Sequence, residues 1–184
     1  MTECKKIVTP LSDEEIEKLR IGDRVLLSGK IYTARDAAHK KLVGLVKDNK
    51  PLPFDIKGQV IYYVGPAPAK PGYPIGPAGP TTSYRMDPYT PLLYANGLKA
   101  TIGKGSRGQE VRDALKRYKA VYLAATGGVA ALIAKSVKSC KVMAYEDLGS
   151  EAIMELKVTD FPCIVANDCF GNDLYDEGVN KYIS

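Results

Sequence analysis

The chain has 184 residues, with no tryptophan, one histidine and four cysteines. The cysteines are Cys4, Cys140, Cys163 and Cys169, and none belongs to a Cys-x-x-Cys pair. Because zinc and iron–sulfur sites use clustered cysteine and histidine ligands, we predict no metal-ligating residues in this chain. Four cysteines in a chain of this length also do not suggest a disulfide framework, so we interpret them as free thiols in a reducing compartment.

Long apolar runs and dense basic runs are missing as well. No stretch approaches the roughly 20 apolar residues of a membrane span, and the first six residues lack the apolar stretch of a signal peptide. We therefore expect a cytoplasmic protein that does not enter a membrane. The net charge of +5 is spread along the chain, which argues against nucleic-acid binding. A mild positive balance also suits a protein that binds small dianionic acids.

The composition is that of a globular protein, with 45% hydrophobic and 26% charged residues. This length is sufficient for one domain with a substantial core, and no repeat or linker divides it. We therefore predict a single domain over residues 1–184. Helix-like and strand-like patterns alternate over much of the chain, which favours an α/β fold with a mixed, partly parallel sheet.

The predicted elements begin with a helix that Ser12 and Glu15 open as a capping box, with Arg20 in its last turn. A hairpin is predicted at residues 28–29, between strands over 24–28 and 30–33. Further along we predict helices over 36–46, from Thr90, over 108–118 and from Gly127-Gly128 to about 137, and strands over 59–64, 100–102, 120–124, 141–144, 154–158 and 163–166.

The most informative stretch is residues 76–87. Its glycines and prolines favour turns, and they are followed by Thr81, Thr82 and Ser83 and then by Arg85. Hydroxyl and guanidinium donors at the end of a turn-rich loop suit an anionic ligand. The same residues are also typical of an ordinary surface loop whose hydroxyls cap the next helix.

Residues 79–87, Gly-Pro-Thr-Thr-Ser-Tyr-Arg-Met-Asp, resemble the signature of one family of iron–sulfur hydro-lyases. The likeness is to the β subunit, or C-terminal domain, of class I fumarate hydratases and L-tartrate dehydratases. Segments similar to the family's also occur, in the family's order, at residues 33–39, 103–105, 127–128, 151–153, 160–162 and 171–173. The resemblance thus covers nearly the whole chain, and it implies a swivelling β/β/α domain.

The resemblance implies that the chain is the β subunit of a class I fumarate hydratase, which hydrates fumarate reversibly to (S)-malate. In this family a 4Fe–4S cluster is held by cysteines of an α subunit or an N-terminal domain, and its open iron acts as a Lewis acid. The chain alone is then expected to bind no cofactor and to be inactive without the α subunit. When isolated, it could form a homodimer.

Two other functions remain open from the sequence. The first is the β subunit of an L-tartrate dehydratase, which the same signature would fit. The second is a non-catalytic module that binds dicarboxylates through the same arginines.

Three basic residues are the predicted substrate ligands. Arg35 lies where a predicted strand turns into a helix, a usual position for binding residues in α/β folds. The alternative is a surface arginine paired with Asp36. By resemblance, Arg35 and Arg85 each clamp a substrate carboxylate, and Lys104 binds the substrate as a point charge.

Thr81 and Thr82 are the residues expected to lie nearest the chemistry. In class I fumarases, the residue that matches Thr81 has been considered for proton transfer at the substrate carbon. A threonine hydroxyl is a poor base unless a neighbour activates it, so Thr81 is either a proton relay or a simple hydrogen-bond donor. Thr82 is expected to orient the substrate or the loop.

Further candidates surround these residues. Gly103 and Gly105 flank Lys104 and could let a ligand approach the backbone, and Asp36 is the neighbour of Arg35. His39 has a usual pKa that suits a general base, and it follows Arg35 by one helical turn. A partly exposed helix histidine with no such role is the alternative.

Overall fold

The computed structural model describes residues 4–125 and 130–183. The strands in these residues are β1 (Lys5–Val8), β2 (Arg24–Thr33), β3 (Val60–Tyr62), β4 (Ala100–Gly103), β5 (Val121–Ala124), β6 (Val137–Ala144) and β7 (Ile153–Asn167). The α-helices are α1 (Asp13–Ile16), α2 (Asp36–Lys47), α3 (Thr90–Ala95), α4 (Gln109–Tyr118), α5 (Ala130–Ser136) and α6 (Leu174–Ile183), and 3₁₀ turns occupy Ser83–Met86 and Glu146–Glu151. None of these helices is long and apolar enough to cross a membrane.

The strands form a mixed sheet in the order β1–β2–β3–β4–β5–β7–β6, with β2 also paired to β7. The strands β2, β3, β4, β5 and β7 therefore close into a five-stranded barrel. The first four are parallel, with Thr33 beside Tyr62, Tyr62 beside Ile102 and Ile102 beside Leu123. Strand β7 runs antiparallel to both β2 and β5. The predicted α/β class and partly parallel sheet are confirmed.

Residues of the barrel strands alternate between two hydrophobic cores. Val60 and Tyr62 belong to the core that the barrel strands enclose, whereas Ile61 and Tyr63 belong to a second core, which includes residues of α2, α3 and α4. This is the period of two expected for a strand that is covered on both faces. The helix layer thus packs against the outer face of the parallel strands and fixes where their ends lie.

The first helix is shorter than predicted. Its capping box is present, with the Glu15 N–H donating to Ser12 Oγ at 3.3 Å and the Ser12 N–H donating to Glu15 Oε2 at 2.8 Å. However, α1 ends at Ile16, so the prediction that Arg20 lies in its last turn is wrong. The Arg20 N–H instead donates to the Asp23 carboxylate at 2.7 Å, which satisfies it outside a helix.

The predicted hairpin at residues 28–29 is wrong. Residues 24–33 form the single strand β2, with a register shift between Leu27 and Gly29 where it pairs with β7. Gly29 has φ +108°, and a Cβ there would collide with Thr9. A bulge of this kind favours glycine for the same reason as a tight turn does, so the residue was correctly seen as special but assigned to the wrong feature.

The last third of the chain differs from the prediction in similar ways. The two late predicted strands are one strand, β7, and the strand predicted over 141–144 begins earlier, because β6 starts at Val137. Strand β1 and helix α6 were not predicted. The expected helix start at Gly127-Gly128 lies outside the described residues.

Candidate functional site

The candidate residues meet at the carboxyl edge of the parallel strands. Arg35 follows β2 as the residue that precedes α2, and Lys104 follows β4 directly. Thr81 is held beside β3, because its N–H donates to the carbonyl of Tyr63 at 2.7 Å. Because parallel strands end at the same edge of a sheet, this topology brings together residues that are far apart in the sequence.

The loop that carries the hydroxyl residues is attached to β4 by backbone pairing. The Ser83 N–H donates to the carbonyl of Lys104 at 2.9 Å, and Thr82 forms an isolated parallel bridge with Lys104. A Cβ at Gly103 would collide with Ser83 Oγ. The sequence analysis expected the space at Gly103 to admit a ligand. In the structure, Ser83 of the loop occupies this space. Gly105 has φ +82° and accepts a hydrogen bond from Tyr122 Oη at 2.8 Å.

The two arginines are held by different carboxylates. Arg85 Nε donates to Asp36 Oδ1 at 3.0 Å, which ties the loop to the first turn of α2. Arg35 does not pair with its sequence neighbour, since its Nη2 lies 3.5 Å from Glu151 Oε1. Glu151 also accepts the N–H of Ala37 at 3.3 Å. The alternative of an Arg35–Asp36 surface pair is therefore not found.

Arg35 is confined on a second side by Gly65. A Cβ on Gly65 would lie 2.9 Å from Arg35 Nη1 and 3.1 Å from the carbonyl of Ser150. Two buried polar atoms next to these contacts, Arg35 Nε and Asp36 Oδ2, have no hydrogen-bond partner among the described residues. Such atoms need an explanation, and a polar ligand or partner chain is one.

Several polar groups at this edge remain available. The Arg85 side chain is 45% exposed, Lys104 is exposed, and Thr81 and Thr82 are half-buried. Within the described residues, the Thr81 and Thr82 hydroxyls and the Lys104 ammonium make no hydrogen bond or ion pair. The arrangement can thus present three cations and two hydroxyls to an anion, and most of these donors are not already committed.

His39 lies beneath the site and is fully buried. Its Nδ1 donates to the carbonyl of Arg35 at 2.9 Å, and its ring packs edge-on against Tyr63. Burial lowers the pKa of His39 from its usual value of 6.5 to about 4. His39 is therefore neither partly exposed nor a base that faces the loop, because its position in α2 directs the side chain to the second core, beside Tyr63.

The pKa of His39 predicts a pH-dependent stability. The unfolded chain binds a proton below about pH 6.5, whereas the folded chain does so only below about pH 4, so stability falls as the pH drops through this range. The loss between pH 7 and pH 5 should be about 2 kcal/mol. Denaturant unfolding at both pH values would measure it.

The matched variant for this measurement is His39→Gln. Because His39 is the one histidine in the sequence, the difference between wild type and variant removes the contribution of carboxylates that titrate near pH 5. The variant should lose less stability on acidification than the wild type. Equal losses in the two proteins would contradict the prediction.

One buried ion pair near the site was not predicted from the sequence. The Arg107 side chain has no exposed surface and donates through Nε to Asp87 Oδ1 at 2.7 Å. Burial disfavours its charge, but neighbouring Tyr63, Tyr94 and Asp87 outweigh this effect and raise the pKa of Arg107. The sequence signal was weak: an arginine in the loop after β4, and an aspartate at the end of the 79–87 signature.

The chain belongs to the fumarase C-terminus family, whose model matches residues 3–178. This confirms the family resemblance of the 79–87 signature. Among its curated relatives is the putative L(+)-tartrate dehydratase subunit beta of Methanocaldococcus jannaschii, to which it is 44% identical over 179 residues, covering 94% of this chain and 91% of the relative.

Longer relatives match as well. The chain is 42% identical over 169 residues to the anaerobic class I fumarate hydratase of Escherichia coli (strain K12), covering 91% of this chain and 31% of the relative. It is 40% identical over 166 residues to fumarate hydratase 2 of Leishmania major, covering 89% of this chain and 29% of the relative. The chain thus spans less than a third of the length of these two fumarate hydratases.

Proposed function

We propose that this chain is the β subunit of a class I fumarate hydratase and that the edge described above binds its dicarboxylate substrate. One observation carries the proposal: the ends of β2, β3 and β4, with the 3₁₀ turn that is attached to them, bring two arginines, a lysine and two threonines together. The names of the fumarate hydratase relatives support the reaction, the reversible hydration of fumarate to (S)-malate.

The described residues of this chain do not offer ligands for the 4Fe–4S cluster of a class I fumarate hydratase. Cys163 and Cys169 are buried, Cys140 is half-buried and Cys4 is exposed. Across residues 4–125 and 130–183, no group of three cysteine, histidine, aspartate or glutamate residues could hold a metal ion. We therefore place the 4Fe–4S cluster on a partner α subunit, and we assign to this chain only substrate binding and proton handling.

The proposed roles follow from which donors are free. Arg85 uses Nε for Asp36, so both of its Nη groups can bind one carboxylate in a bidentate manner. Arg35 faces the second carboxylate in this arrangement, and Lys104 adds a point charge. Thr82 orients the substrate. We place Thr81 nearest to the reacting carbon, where its hydroxyl transfers a proton or donates a hydrogen bond.

A second candidate function is supported by the beta-subunit relative from Methanocaldococcus jannaschii. It is matched over nearly its whole length, whereas the fumarate hydratases are matched over less than a third of theirs. The chain could accordingly serve an L-tartrate dehydratase, with tartrate bound by the same arginines. A dicarboxylate-binding module without turnover is the remaining alternative.

Finer assignments belong to the same proposal. We assign residues 1–184 to one swivelling β/β/α domain, which the five-stranded barrel and its outer helix layer support. The buried free thiols of Cys163 and Cys169 are compatible with the cytoplasmic location expected from the sequence. The homodimer of the isolated chain stays a prediction.

The test is an anaerobic dehydration assay with malate and L-tartrate side by side. The chain would be assayed alone and after reconstitution with its α subunit, and iron would be measured in both samples. We expect turnover and iron only in the assembled sample, with malate as the preferred acid. Preference for tartrate would replace the fumarase assignment, and dicarboxylate binding without turnover in either sample would leave only the binding module.

A further inference from the structure

Arg107 connects the two segments that carry Arg85 and Lys104. The Asp87 carboxylate, two residues after Arg85, accepts from Arg107 Nε through Oδ1 at 2.7 Å. Its other oxygen accepts from the Gly108 N–H, also at 2.7 Å. One carboxylate thus ties the 3₁₀ turn at Ser83–Met86 to the loop that begins at Lys104.

The other donors of Arg107 reach three further places, in α3, in β4 and at the end of β3. Nη2 donates to Thr90 Oγ1 at 3.0 Å and to Tyr63 Oη at 3.3 Å, and Nη1 donates to Thr101 Oγ1 at 3.1 Å. Tyr63 is the residue whose carbonyl accepts the N–H of Thr81. A single guanidinium therefore contacts the strand ends or turns next to Thr81, Arg85 and Lys104.

We propose that Arg107 is a positioning residue, which holds Arg85 and Lys104 in the geometry that binds the substrate while touching no substrate atom itself. This inference rests on the proposed function. Its side chain is fully buried and engaged by protein acceptors, so it is not available to a ligand. Lysine could keep the charge at this position, but it lacks the planar set of donors that joins Asp87, Thr90 and Thr101.

The experiment compares Arg107→Lys with Arg112→Lys. Arg112 is also ion-paired, to Asp173 at 3.1 Å and Asp176 at 2.6 Å, but it joins α4 to the α6 region and contacts no candidate site residue. The two variants thus remove similar donors from different places. Losing the charge-assisted hydrogen bond to Asp87 should displace Arg85, which binds a substrate carboxylate. Arg107→Lys should therefore raise KM about tenfold in the assembled enzyme. Arg112→Lys should leave KM unchanged.

A purely structural role would give a different result. It would lower the folded fraction, and hence the apparent kcat, at an unchanged KM. Thermal unfolding and active-site titration of each variant separate these cases. An Arg107→Lys enzyme with wild-type KM overturns the proposal.

A second readout does not depend on turnover. Hydrogen exchange on the full chain reports the N–H groups of Thr81, Ser83 and Gly108, which the proposed anchor protects. These amides should exchange about tenfold faster in Arg107→Lys than in Arg112→Lys. Unchanged exchange rates would refute the positioning role of Arg107, whether or not the wild-type complex is active. An inactive wild-type complex would refute only the proposed function.

Removal of a buried ion-pair partner can prevent folding. If Arg107→Lys does not fold, Asp87→Asn takes its place, because the neutral amide weakens the charge-assisted contact with Arg107 Nε and removes the acceptor for the Gly108 N–H. The same rise in KM and faster exchange at Gly108 are expected, and wild-type values for both would refute the proposal.

Discussion

Replacing Thr81 with alanine in the assembled enzyme is expected to lower kcat by about 100-fold or more, since a positioned proton-transfer group contributes 10²–10⁴ in rate. KM should change much less, because the carboxylate-binding arginines remain in place. The physical reason is the location of Thr81. Its N–H donates to the carbonyl of Tyr63 at 2.7 Å, while its hydroxyl has no partner among the described residues. Steady-state kinetics with malate would measure both constants.

The matched variant is Thr81→Ser, which keeps the hydroxyl and removes only a methyl group. It should retain most of the turnover if the hydroxyl carries the effect. A Thr81→Ala enzyme with near-native kcat would exclude the catalytic role and leave Thr81 as a structural part of the loop. A rise in KM without loss of kcat would instead assign it to ground-state binding.

The second large effect is expected from Arg85→Ala. KM for malate should rise about 100-fold, because a bidentate guanidinium–carboxylate contact is lost at one end of the substrate. The structure adds a further cost. Without Arg85, the carboxylate of Asp36 loses its ion pair, and its buried Oδ2 already has no partner. The unpaired charge would then repel the incoming dianion.

Two variants separate these contributions. Arg85→Lys restores a positive charge without the bidentate geometry and should recover only part of the affinity. In the Arg85→Ala background, Asp36→Asn removes the repulsion and should lower KM relative to Arg85→Ala alone. Native affinity in Arg85→Ala would remove this residue from the proposed binding site.

The elements that sequence analysis located correctly have local causes. The capping box at Ser12 is contained in four residues, and strand β5 is a compact run that begins shortly after the end of α4. Gly29 shows the limit of local patterns, because Ser-Gly is typical of both a hairpin turn and a bulge. The choice is made by β7, which pairs with β2 from more than 120 residues away.

The site follows the same division. The residue types and their positions after strands could be identified from the sequence, because strand ends and glycines are local features. The pairing of Arg85 with Asp36 and of Arg35 with Glu151 could not, since both depend on how the loop and the 3₁₀ turn before β7 pack on α2. The burial of His39 and Arg107 depends likewise on the outer core around Tyr63.

Closure of the barrel between β2 and β7 has a consequence for the order in which the chain can fold. Glu151, the ion-pair partner of Arg35, lies more than 110 residues further along the chain, and β2 pairs with β7 over a similar separation. Contacts this distant in sequence form slowly, because the entropy of the long connecting segment is lost first. During synthesis, Thr81 and Lys104 emerge well before Arg35 can be anchored. The binding edge is therefore completed late, and we expect productive assembly with an α subunit to follow the docking of β7.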